Sequence, residues 1–134
     1  RTAENIKVQV GAALPELETP PEDYPVNGRD LMTGIPQQIM VSYTEIALAL
    51  DKSISKIEEA VMKDLELTPP ELSADIYQTG LYLTGGAALL RGLDRRISSK
   101  TKLPVYVAED PLRAVVRGTS VALKNLKSYR TIFT

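Results

Sequence analysis

The chain has 134 residues, 43% of them hydrophobic and 25% charged, enough for one ordinary core or two small ones sharing a boundary. Sixteen basic against seventeen acidic residues leave a net charge of -1, which does not advertise a polyanionic partner such as nucleic acid or an anionic membrane surface. With neither cysteine nor histidine, disulfides, zinc sites and Ser-His-Asp chemistry are excluded within the chain.

No apolar run approaches the length of a membrane span, and the start has neither a basic nor an apolar leader segment, so the expectation is a soluble, cytosolic domain. The chain opens at Arg1-Thr2-Ala3-Glu4 with helical periodicity already running from Ala3 through Ile6 to Val10, which suggests a piece of a longer protein. Thr2 is placed to cap that helix, Glu4 to sit at its positive end, and Gly11 to stop it. Leu14 to Pro25 carries Pro15, Pro20, Pro21 and Pro25 among Glu16, Glu18, Glu22 and Asp23, and reads as an extended, solvated acidic connector.

Tyr24–Leu31 and Ile35–Tyr43 read as the strands of a β-hairpin turned by Met32-Thr33-Gly34, with Pro36 suited to an edge. From Thr44 the period lengthens. Ile46, Leu50, Ile54, Ile57, Val61 and Leu65 mark one face of a long helix ending before Pro69-Pro70, with Lys52, Lys56, Glu58, Glu59 and Lys63 read as its solvated surface. Pro69-Pro70-Glu71-Leu72 begins a short helix that Gly80 closes.

The stretch Leu81–Leu93 then carries the strongest local signal. Strand-forming Leu81-Tyr82-Leu83-Thr84 runs into Gly85-Gly86, and Ala87, Ala88, Leu89, Leu90 and Arg91 favour helix at once. A strand, a glycine turn and a helix start can bring backbone N–H groups close to a ligand, because glycine has no Cβ and the first helical amides lack internal partners. On the dipeptide alone, an ordinary βα connection is the simpler account. A helix with Leu89, Leu90, Leu93 and Ile97 follows to about Ser99, then a strand over Leu103–Ala108. Asp110 is placed to cap a last helix with Pro111 at its first position and Leu112, Val115, Val116, Thr119, Ala122, Leu123 and Leu126 on one face. This order implies two parallel strands joined by a crossover. Gly118 inside the last helix costs about 1 kcal/mol against alanine, for which close helix packing is the leading explanation and room for a ligand the other.

Four ordered segments carry a resemblance. LYLTGGAALLRGLDRRIS (Leu81–Ser98), KLPVYVAEDPLRAVVRGTSVAL (Lys102–Leu123), RTAENIKVQVG (Arg1–Gly11) and TPPELSADI (Thr68–Ile76) resemble the C-terminal part of the MreB family, bacterial actin homologues that determine rod shape. The resemblance implies an α/β fold, an actin-like ATPase domain fragment: a ribonuclease H-like half with an inserted smaller α+β subdomain. Residues 1–44 would form the upper subdomain of the second actin-like domain, and residues 45–134 the lower αβ subdomain carrying the adenosine-binding turn. The cofactor implied is ATP, with magnesium in the full-length protein. Thr2, Ala3, Glu4 and Asn5 fall on the helix start beside ribose and adenine, and Gly85, Gly86, Ala87 and Ala88 on the adenosine-binding turn. Glu4 can accept hydrogen bonds from ribose hydroxyls or the adenine amine. The two groups are expected to line one side of a shared nucleoside slot. Two departures stand out: the family usually has a third glycine where this chain has Ala87, and Gly-Thr-Gly where it has Gly118-Thr119-Ser120.

No catalytic residue and no metal ligand is assigned within the chain. The family's phosphate-gripping hairpins, magnesium-binding aspartate and water-activating acid belong to segments upstream of Arg1, and phosphoryl transfer depends on them, so the chain alone is expected not to hydrolyse ATP. The function implied is part of a cytoskeletal protein forming ATP-dependent, membrane-associated filaments at the inner face of the cell membrane and directing cell-wall elongation. The partners implied are further copies of itself and membrane proteins of the elongation machinery, with no nucleic acid and no direct membrane contact from this segment. The alternatives are another actin-superfamily ATPase, of sugar-kinase or heat-shock-chaperone type, and a nucleotide-free αβ interaction module.

Overall fold

The computed structural model describes residues 2–130. Arg1 and residues 131–134, the outer ends of the two expected units, lie outside that range. Helix α1 (Thr2–Val10) already includes Thr2, which is therefore its first residue rather than its cap. It stops before Gly11, and Val10, Gly11, Ala12 and Ala13 are buried one after another. The expected acidic connector follows, but its start is anchored: Leu14 and Leu17 lie over Gly92, and Glu18 pairs with Arg95 at 3.3 Å.

Strands β1 (Tyr24–Arg29) and β2 (Pro36–Val41) form the expected antiparallel hairpin, in register from Tyr24 opposite Val41 to Arg29 opposite Pro36. The two strands make a sheet of their own, so Pro36 sits on an edge as its missing N–H demands. Asp30 organises the loop, its Oδ1 accepting from the N–H groups of Met32 and Thr33 at 2.8 Å each. Those bonds, Thr33 first, hold the Asp30 carboxyl below the usual carboxylate range.

Helix α2 (Tyr43–Leu67) is 25 residues long and starts on a capping box. Ser42 Oγ accepts from the Glu45 N–H at 3.3 Å, and Glu45 Oε2 accepts from the Ser42 N–H at 2.9 Å. Its inner face delivers Ala47, Leu50, Ile54 and Val61, while Ile57, expected on that face, is exposed. Helix α3 (Pro70–Thr79) is closed by Gly80, and β3 (Leu81–Leu83) pairs in parallel with β4 (Val105–Val107), Leu81 opposite Val105. Between them the chain makes a 3-10 turn over Gly86–Leu89 and then helix α4 (Leu93–Thr101). Helix α5 (Ala114–Lys124) follows. The core collects Ala13, Ile54, Leu93 and Ile97, with Leu50, Val61, Leu81, Leu83, Leu90 and Val105 packed around them.

Two expectations about element bounds are corrected. The helix after the glycine pair is not continuous: Leu90 is extended and Gly92 is left-handed at φ 76, so Leu90–Gly92 breaks it. Arg91 there forms a parallel bridge with Ala12, which a continuing helix would forbid. The last helix starts at Ala114 rather than Pro111, because Asp110 adopts a left-handed φ of 48 and turns the chain instead of capping it.

Candidate functional site

Gly85 holds the centre of the turn. Its backbone sits at φ 81, ψ 178, a combination open only to glycine without strain, and a Cβ built there would meet open space. The Gly85 N–H donates to the Pro111 carbonyl at 2.8 Å, so the turn ahead of α5 pins the turn after β3. Gly86 and Ala87 follow at the start of the 3-10 turn. Among the described residues, neither of their N–H groups has an internal acceptor. Ala88 is buried and anchors the turn from beneath, its N–H donating to the Gly85 carbonyl at 3.2 Å. Ala87, where the family pattern has glycine, is exposed and free of any left-handed φ, so its methyl group costs the fold nothing here.

Thr2, Ala3, Glu4 and Asn5 form the first turn of α1 and are all exposed. The Glu4 carboxylate pairs with Lys7 at 2.8 Å along the same helix. Among the described residues, no hydrogen bond or ion pair runs directly from Thr2–Asn5 to Gly85–Ala88. The two groups are linked through the far end of α1. There Ala12 bridges Arg91, the Ala13 N–H donates to the Arg91 carbonyl at 2.8 Å, and Arg91 Nη1 donates to the Gly11 carbonyl at 3.4 Å.

Beneath this link lies a polar cluster that the periodicity reading missed. The Arg96 guanidinium, with its side chain 14% exposed, donates to both Glu58 oxygens at 2.9 and 3.2 Å, to Ser55 Oγ at 3.2 Å and to the Ala13 carbonyl at 3.0 Å, and meets Asp51 at 2.8 Å. Glu58 is only 11% exposed, which corrects its assignment to a solvated surface. Its hydrogen bonds raise the Arg96 pKa further above its ordinary value. The available signal was its spacing: Glu58 falls four residues after Ile54, over the edge of the buried stripe, where a carboxylate persists only when paired. Gly118 lies on the outer side of α5. It is exposed, and a Cβ there would meet nothing among the described residues, so no packing within this chain calls for the glycine.

Bare backbone at Gly85 and two neighbouring amides without internal acceptors leave the main chain open to close approach by a ligand. Among the described residues, no three acidic side chains converge as a metal ligand set. No described helix is long and apolar enough to cross a membrane.

Comparison with known proteins supplies the rest. The MreB/Mbl protein family matches residues 1–131. The chain is 44% identical over 126 residues to the cell shape-determining protein Mbl of Bacillus subtilis, covering 94% of this chain and 37% of that protein. It is 46% identical over 123 residues to the cell shape-determining protein MreB of Escherichia coli, covering 92% and 35%. Its fold superposes with a TM-score of 0.84 on MreB5 of Spiroplasma citri bound to ADP, at 35% identity over 94% of this chain and 38% of that one. The AMPPNP-bound form of MreB5 gives the same score at 34% identity, over 99% and 39%. The chain thus spans little more than a third of the relatives it matches. With that coverage, those identities and an α/β architecture shared with actin-like structures, this chain belongs to the MreB/Mbl family of cell shape-determining proteins.

Proposed function

We propose that this chain is the nucleoside-side portion of a bacterial actin-like cytoskeletal ATPase, in which the first turn of α1 and the Gly85–Ala88 turn line one adenosine slot. The observation that carries the reading is Gly85. A glycine-only backbone conformation facing open space, beside two N–H groups lacking internal acceptors, is what close approach of a ligand to the main chain requires. The nucleotides named for the MreB5 structures, ADP and AMPPNP, support an adenine nucleotide as that ligand. Glu4 accepts from the ribose hydroxyls or adenine amine, with Thr2, Ala3 and Asn5 shaping the same wall, while Gly86 and Ala87 present their amides. Bound ATP, with its magnesium, supplies the phosphoryl chemistry.

In the full-length protein, nucleotide binding favours assembly of copies into filaments at the inner face of the cell membrane, where they meet membrane proteins of the cell-wall elongation machinery. The relatives' role in determining cell shape supports that reading. Calorimetry on the full-length protein tests it. Glu4→Ala should weaken ADP binding by roughly tenfold or more, the loss of a hydrogen bond to a charged group, and Gly85→Val should remove measurable binding. Wild-type affinity in a folded Gly85→Val variant refutes the slot. The 134-residue chain by itself should show no ATP hydrolysis above background.

A further inference from the structure

Helix α1 lies beside α2 and β1 but buries little against them. Only Val10 of its nine residues is buried, and the helix is seated by the buried Gly11–Ala13 segment that follows it. Glu4 precedes Gly11 by seven residues, so the first turn stands about 10 Å from that seat along the helix. A rotation of roughly 10° at the seat therefore displaces Glu4 by roughly 2 Å, more than a hydrogen bond tolerates.

We propose that Arg96 is a positioning residue of the nucleoside slot, its guanidinium fixing the angle at which α1 presents Thr2–Asn5. The inference rests on the adenosine reading above. Arg96 stands on α4, the helix that leaves the glycine turn, and its Nη1 donates to the Ala13 carbonyl at 3.0 Å. The same planar group is held against α2 by Glu58, Ser55 and Asp51. One rigid side chain thus sets three segments against each other: the seat of α1, the long helix and the helix after the glycine turn. The Ala12–Arg91 bridge fixes how far apart the seat and the turn lie, and the Arg96 bond to Ala13 fixes how the seat's peptide plane is rotated. A lysine, whose compact ammonium lacks the planar fork, cannot reproduce the paired bonds to Glu58 and the bond to the Ala13 carbonyl in one geometry.

The test separates positioning from stability in the full-length protein, with ADP as the probe. Arg96→Lys keeps the charge and loses the fork. A double variant, Glu58→Leu with Arg96→Met, replaces the pair by apolar side chains, an exchange that often preserves stability, but leaves Ala13 without its donor. Both should bind ADP roughly ten- to hundredfold more weakly, and the double variant should do so while remaining fully folded at the assay temperature. Wild-type affinity in the double variant makes the cluster structural only and overturns the proposal. So does an affinity loss in either variant that merely tracks a loss of folded protein. Where the double variant does not fold, wild-type affinity in Arg96→Lys overturns it alone. If the wild-type protein does not bind ADP, the adenosine reading falls and takes this one with it. If Gly85→Val abolishes binding while both Arg96 variants retain it, only the positioning role fails.

Discussion

At Gly85 the backbone itself carries the information. Because φ is 81 and ψ is 178, any side chain there is strained even though space is free around it. Gly85→Ala should destabilise the chain by about 1–3 kcal/mol, the cost of a residue held in a sparsely populated region. Ala87→Gly, two residues on, should cost no more than about 1 kcal/mol, since Ala87 has no left-handed φ and glycine only adds unfolded-state entropy. Urea denaturation of the two variants side by side checks both; equal effects would mean that Gly85 has no special backbone role. That the glycine pair mattered was visible in the chain, because a diglycine between strand-forming and helix-forming residues is a local pattern. Which glycine adopts the exceptional conformation was not, since it depends on the Pro111 carbonyl arriving to accept its N–H.

The individual elements are governed by short-range chemistry. Helix α2 was legible from its apolar period, but the capping box of Ser42 and Glu45 sets its first turn. Ser42→Ala should lower stability by about 1 kcal/mol, read as a shift in the urea midpoint. In the hairpin, Asp30 holds the loop through the Met32 and Thr33 N–H groups, and the Ser42 N–H does the same for Glu45 at the start of α2. Both carboxyls are depressed below their ordinary values by those bonds. A depressed carboxyl contributes stability above its unfolded pKa, and that contribution is lost as pH falls through the folded pKa. Amide exchange protection at Met32, Thr33 and Ser42 should therefore persist at neutral pH and decline in acid, below about pH 4. Protection unchanged down to pH 2 would contradict the role of the two carboxylates. The break at Leu90–Gly92 escaped the propensity reading because Leu90 and Arg91 are good helix formers whose local preference loses to the pairing of Arg91 with Ala12.

The molecule as a whole is under-packed for its size. A folded monomer of this mass exposes about 6900 Å² on average scaling, whereas this chain exposes 10228 Å². The excess includes large apolar side chains: Leu31 is 99% and Met32 94% exposed at the hairpin tip, and Val116 is 71% exposed on the apolar face expected to seat α5. Exposed apolar faces of this kind mark surfaces used in contacts. The 134-residue chain alone should bind an apolar fluorescent dye, and a full-length protein should bind less of it per residue. Dye fluorescence on the two proteins checks this, and equal dye binding would place the exposed faces outside any packing role.

The order of helices and strands, the hairpin turn and the family itself follow from the linear chain, because propensity, periodicity and glycine placement act over a few neighbouring residues. Residues far apart in sequence decided the rest. Arg96 meets Glu58 across 38 positions and the Ala13 carbonyl across 83, and Arg91 reaches Gly11 across 80. No local pattern announces such pairs, since each exists only after the core has brought its partners within hydrogen-bond reach and excluded the water that would otherwise serve them.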